Sequence, residues 1–183
     1  RDYSSHMDAT AECLAYMARS GLLVGSHAYE NFDLLTRFCP GSYVRDIADC
    51  LSLLFHLGLM KGAQAQENFN HLTQDFGRDA ERIIEALQRL LAADLLAGNQ
   101  AQINFNLLML GGGQYAQCIA EGLSYLFGAG LLAHDQAQAN RDLLVQFGGQ
   151  HAVSIAVGLG YLFKAGLLAC DQAQANRNLL IMF

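Results

Sequence analysis

The stretch AGLLAHDQAQANRDLL, Ala129 to Leu144, recurs as AGLLACDQAQANRNLL, Ala165 to Leu180. Weaker copies run SGLLVGSHAYENFDLL (Ser20 to Leu35), LGLMKGAQAQENFNHL (Leu57 to Leu72) and ADLLAGNQAQINFNLL (Ala93 to Leu108). Their asparagines, Asn31, Asn68, Asn104, Asn140 and Asn176, stand 37, 36, 36 and 36 residues apart. Five copies at one period define a repeat architecture. The last two copies agree at 24 of 34 positions when Gln114–Phe147 is laid on Gln150–Phe183, which points to duplication.

Ahead of each copy lies a helical stripe. Counted back from the Gly or Asp of the GLL signal, Thr10, Ile47, Ile83, Ile119 and Ile155 stand at minus 11. Leu14, Leu51, Leu87, Leu123 and Leu159 stand at minus 7, and Met17, Leu54, Leu90, Leu126 and Leu162 at minus 4. With Ala18, Phe55, Leu91, Phe127 and Phe163 at minus 3, the spacing predicts one apolar face turned to the core. Gly21, Gly58, Gly130 and Gly166 then end the helix in the left-handed conformation, and the next leucine packs back on the last turn. Asp94 replaces that glycine in the third copy, so its cap is expected to be weaker or differently built.

A second helix is predicted to open at Ser26, Ala63, Asn99, Asp135 and Asp171, with Gln66, Gln102, Gln138 and Gln174 completing a capping box where the first residue is polar. Glycine-containing joins, at Cys39–Ser42, Phe76–Arg78, Gly111–Gly113 and Gly148–Gly149, are short enough to place consecutive helices antiparallel. The expected fold is all-α: an α-solenoid of five antiparallel helix-hairpin repeats of 36–37 residues, about 8–40, 41–77, 78–112, 113–148 and 149–183. These make one domain, 8–183. Residues 1–7, RDYSSHM, do not fit the repeat and read as a cloning scar. The chain ends at Ile181-Met182-Phe183 without a polar capping helix, which predicts either a fragment or end-to-end self-association through the last repeat.

Composition narrows the function. Of 183 residues 52% are hydrophobic, enough for a sizeable core, yet no apolar run approaches the roughly 20 residues of a membrane span. The net charge of −6 and the scattered basic residues argue against nucleic acid. Five cysteines without CxxC spacing suggest reduced thiols. His134 and Cys170 share a column in adjacent copies, but stacked equivalents stand roughly 8–10 Å apart, too far for one metal ion or a catalytic pair. The other histidines occupy unrelated columns, and Gly111–Gly113 has neither the preceding strand nor the following Gly-Lys-Ser/Thr of a phosphate loop. No catalytic, cofactor or metal site is expected. Small residues at minus 8 (Cys13, Cys50, Ala86, Gly122, Gly158) are expected to let helices approach closely.

Three columns could carry function. The asparagines are read as a structural ladder, each amide bonding open backbone groups of the GLL turn or of the neighbouring copy; the competing reading is an amide row lining a groove. Tyr16, Leu53, Arg89, Tyr125 and Tyr161, at minus 5, lie on the edge of the stripe; of these, Tyr16, Arg89, Tyr125 and Tyr161 are candidate partner contacts. One place after each asparagine, Phe32, Phe69 and Phe105 give way to Arg141 and Arg177. The phenylalanines are expected to pack between copies. The arginines are expected to be solvated or paired with Asp142 or neighbouring acids, and join the candidate partner contacts.

The AGLL-x-x-DQAQANR-x-LL pattern resembles the leucine-rich helical tandem repeats, of the form AGLL-T-QANFDALL, in secreted effectors of Legionella and related intracellular bacteria. The likeness covers nearly all of 8–183, except that Ser, Ala, Asn or Asp stands where threonine is usual before the second helix. It implies a module delivered by type IV secretion into the host cytoplasm; without it, the expectation is a cytoplasmic protein. Regular columns with no reactive cluster point to a non-enzymatic scaffold that binds a protein, one of the host if the likeness holds, through one long face. The alternative is an accessory substrate-targeting domain of a larger effector enzyme whose catalytic part lies elsewhere.

Overall fold

The computed structural model describes residues 3–38, 43–75, 79–133, 136–169 and 171–182, and every regular element among them is helical. In chain order these are α1 (Tyr3–Arg19), α2 (Ala28–Phe38), α3 (Tyr43–His56), α4 (Gly62–Asn70), α5 (Ala80–Ala92), α6 (Gln100–Leu110), α7 (Ala116–Gly128), α8 (Ala137–Leu143), α9 (Ala152–Lys164) and α10 (Ala173–Leu179). α4 and α8 each run into one wider turn, His71–Asp75 and Leu144–Gly148. No described helix is long and apolar enough to cross a membrane. The expected joins at Cys39–Ser42 and Phe76–Arg78 fall on residues outside those described.

The chain forms two compact units, Arg1–Ile84 and Glu85–Phe183, divided within α5. In the first, α1 packs on α3 and α2 rests on the turn His71–Asp75. Its core includes Met17, Leu35, Ile47, Leu51, Leu54 and Phe69. In the second, α7 packs on α9, and Leu87, Phe105, Ile119, Leu123, Leu126 and Leu159 are buried. The stripe at minus 11, minus 7 and minus 4 is therefore interior through the middle copies, while Thr10, Leu14 and Leu162 are half-buried. The minus 3 column departs from the expectation, because Leu91, Phe127 and Phe163 are exposed. At 3.6 residues per turn this column sits about 80° from the minus 11 residue, at the edge of the stripe rather than on it.

Close approach of the first helices follows from the small column. In unit one the Cys13 thiol donates to the Val44 carbonyl (3.5 Å) and the Cys50 thiol to the Ala80 carbonyl (3.6 Å). In unit two Gly122 takes that place, and a Cβ there would stand 3.0 Å from the Ala152 carbonyl oxygen. Burial, reinforced by Asp46 and Asp49, pushes the Cys50 thiol well above its ordinary pKa.

All five first helices end in the same way. Gly130 has φ +74°; its N–H donates to the Phe127 carbonyl (2.9 Å) and that of Leu131 to Leu126 (2.8 Å). This is the paired bond of a left-handed helix stop. Asp94, with φ +58°, makes the same two bonds to Leu91 and Leu90 (3.0 and 2.8 Å). Of the two expected outcomes, the third cap is not differently built; what weakens it is a Cβ in left-handed backbone.

The second helices start differently from the predicted caps. α4 opens at Gly62, and α6, after Asn99, has no side-chain cap bond. Asn99 already has helical φ and ψ of −67° and −16°, not the extended backbone typical of a capping residue. α10 opens after Gln172, also without one, and Asp135 lies outside the described residues. The four glutamines bond forward by one turn instead: Gln66 to Asn70, Gln102 to Asn106, Gln138 to Asp142 and Gln174 to Asn178, at 2.7–3.0 Å.

Candidate interaction surface

The asparagines clamp the helix stops. Asn31 Nδ2 donates to the Leu22 carbonyl (2.8 Å), Asn68 to Leu59 (2.9 Å), Asn104 to Leu95 (2.7 Å), Asn140 to Leu131 (3.0 Å) and Asn176 to Leu167 (2.9 Å). Each leucine is the residue whose own N–H closes the preceding helix. One peptide is therefore held on both sides, its N–H by the first helix and its C=O by the second. Asn31, Asn68, Asn104 and Asn140 are fully buried, where an unmet amide or carbonyl would be costly.

The remaining amide oxygen links one copy to the next. Arg141 Nε donates to Asn104 Oδ1 (3.3 Å) and Arg177 Nε to Asn140 Oδ1 (2.9 Å). Each guanidinium also donates through Nη2 to a glutamine oxygen, Gln100 for Arg141 and Gln136 for Arg177. In unit one this work falls to Gln66, whose Nε2 donates to Asn31 Oδ1 at 2.6 Å while its Oε1 accepts from Asn31 at 2.8 Å.

This corrects the expectation for the two arginines, which are neither solvated nor held by acids. Arg141 is 4% exposed and Arg177 3%. The change from Phe to Arg along the column does not move the position outward: Phe69 and Phe105 are fully buried in the same column. What changes is the partner, from apolar packing to the amide oxygens of the preceding copy. Burial lowers the pKa of both guanidinium groups, and at Arg141 the Asp142 carboxylate partly offsets it. Phe32, in the same column, is exposed.

The minus 5 column is graded. Tyr16 is half-buried, accepts a bond from Ser52 Oγ (2.8 Å), and has its ring 5.7 Å from Phe55, with Arg19 over its face. Tyr125 is 38% exposed, its ring against Gly160, where a Cβ would come within 3.0 Å. Arg89 is exposed, and Tyr161 is 69% exposed. Two residues on, and so about 200° round each helix, Leu91, Phe127 and Phe163 at the C-terminal ends of α5, α7 and α9 are exposed as well. Sequence reasoning placed those three in the core; the signal that could have found them is their position one residue past the buried minus 4 leucine.

Among the described residues no group of three or more His, Cys, Asp or Glu side chains is placed to hold a metal ion. His134 and Cys170 lie outside the described residues. The class that these features define is an all-α protein with buried amide and guanidinium groups and exposed aromatic side chains. No protein family, curated protein or solved structure matches the chain.

Proposed function

We propose that the five sequence copies stack as an α-solenoid of helical hairpins and that the protein is a non-enzymatic scaffold binding another protein, as the repeat module of a secreted bacterial effector acting in a host cell. The observation that carries this reading is the exposure of Tyr125, Phe127, Tyr161 and Phe163 in unit two. Large aromatic side chains left in water at recurring positions are the composition of interface anchors. The recurring residues, by contrast, are consumed by folding. The effector assignment rests on the sequence resemblance.

The test is binding of a purified host partner to the wild-type chain and to Tyr125→Ala/Tyr161→Ala. Loss of about tenfold or more in affinity supports the aromatic row, because two anchors are removed. Undiminished binding removes that face.

A second reading, self-association through the last copy, is favoured by exposed Leu167, Leu179 and Met182. Light scattering at tens of micromolar distinguishes it: a strict monomer would count against it.

A further inference from the structure

Within each unit, neighbouring copies meet through fixed columns. The residue after the asparagine faces the preceding copy, as Arg141 does in donating to Asn104 Oδ1 (3.3 Å) and Arg177 in donating to Asn140 Oδ1 (2.9 Å). Phe69, Phe105, Arg141 and Arg177 are all buried in this column, but Phe32 is exposed. The minus 5 residue meets the minus 6 residue of the next copy: Ser52 Oγ donates to the Tyr16 hydroxyl (2.8 Å), and the Tyr125 ring lies against Gly160. In these two columns Tyr161 of the last copy and Ala15 of the first are exposed. Two leucine columns complete the pattern. The leucine after the helix-stop residue is buried at Leu22, Leu59, Leu95 and Leu131 and exposed at Leu167. Three places after the asparagine, Leu107 and Leu143 are buried, Leu34 is half-buried and Leu179 is exposed.

We infer that the chain binds a second molecule of itself head to tail, the first copy of one molecule against the last copy of the other. Phe32 is then covered by the surface that carries Leu167 and Leu179, and Tyr161 lies over Ala15 as Tyr125 lies over Gly160. Continuity with the contacts inside each unit decides the occupant. Phe32, Leu167 and Leu179 are the exposed members of columns that other copies of this same chain bury, so the surface that fits them is another such copy in the register the chain already uses. Removing these apolar side chains from water drives the association. The two faces are different, so each contact leaves a head and a tail open; association continues past two molecules or closes as a ring. The inference rests on the second reading above, self-association through the last copy, and adds the surface that meets it. Of the aromatic row only Tyr161 is shared with this joint.

The experiment is sedimentation velocity of the whole chain from about 1 to about 200 µM, on the wild type, on Phe32→Glu and on Leu179→Glu. Both substitutions fall at exposed positions, and thermal melts verify that each variant folds. The weight-average mass of the wild type should rise with concentration past that of two molecules. Each variant alone should need at least about tenfold higher concentration to associate, because every head or every tail is spoiled. An equimolar mixture should regain association and stop at two molecules, since the intact tail of F32E takes the intact head of L179E. Three results would overturn the inference: a wild type monomeric throughout, F32E associating as the wild type does, or a mixture no more associated than its parts. Their pattern separates the two readings. If F32E associates and L179E does not, self-association through the last copy stands and the head-to-tail joint falls; a monomeric wild type removes both.

Discussion

Arg177 donates its Nε–H to Oδ1 of Asn140 across 2.9 Å, and the same asparagine's Nδ2 holds the carbonyl of Leu131 at 3.0 Å. One side chain thus fixes the helix stop of its own copy and receives the guanidinium of the next. Asn104 does the same with Leu95 and Arg141. At these two positions the asparagine of the column has both duties.

Replacing Arg141 separates its packing from its polar role. Arg141→Ala removes bonds to Asn104 and Gln100 and leaves a void, and urea unfolding should show a loss of about 2–4 kcal/mol. Arg141→Phe should cost less, about 1 kcal/mol or under, because phenylalanine fills this column at Phe69 and Phe105 and Gln138 can turn to Asn104 as Gln66 turns to Asn31. Adding Gln138→Ala to Arg141→Phe should then cost more than the sum of the two single changes.

Asp94 supplies a stabilising substitution. It holds φ +58° in a turn where four copies use glycine. Asp94→Gly should raise the melting temperature by an amount equivalent to about 0.5–1 kcal/mol, the cost of a side chain in left-handed backbone less the greater freedom of unfolded glycine. An unchanged or lower melting temperature would show that Asp94 makes a compensating contact.

Two glycines of α7 should respond in opposite senses. At Gly122 an added methyl meets the Ala152 carbonyl at 3.0 Å and Leu144 at 3.3 Å, so Gly122→Ala should destabilise by about 1–3 kcal/mol. Gly128 has open space, and Gly128→Ala should be neutral or stabilising by up to about 1 kcal/mol. Chemical denaturation of both variants checks the contrast.

Asp46 gives the fold a pH dependence of known sign. Burial, then the charges of Glu81 and Asp49, raise its pKa above the ordinary carboxylate value. The folded state therefore holds this proton more tightly than the unfolded chain. Ionising Asp46 opposes folding above its raised pKa, and protonation relieves that penalty as pH falls through it. Asp46→Asn should melt higher than wild type at pH 7, with the difference shrinking toward the acidic range; a difference constant with pH would contradict the assignment.

Much of this was legible in the sequence. Apolar spacing and glycine stops are local signals, and they identify an all-helical chain and its left-handed turns. The asparagine column was legible as a satisfied amide because an amide beside Leu143 and Leu144 has few other fates. Arg141 and Arg177 were misread because charge was taken as a sign of exposure, whereas their acceptors, Asn104 with Gln100 and Asn140 with Gln136, are 37 and 41 residues away. Leu91, Phe127 and Phe163 were misread because hydrophobicity at a stripe's edge does not say whether another helix covers it. Asn99 failed as a cap because its backbone had already entered the helix.

The coupling of neighbouring copies within a unit is what Arg177 and Asn140 display. It is tested most directly by a double-mutant cycle of Asn140→Ala, Arg177→Met and their combination, read by urea unfolding. The clamp predicts that Asn140→Ala alone costs about 1–3 kcal/mol and that the two changes are coupled by about 1–2 kcal/mol. Additive costs, within about 0.3 kcal/mol, would contradict it.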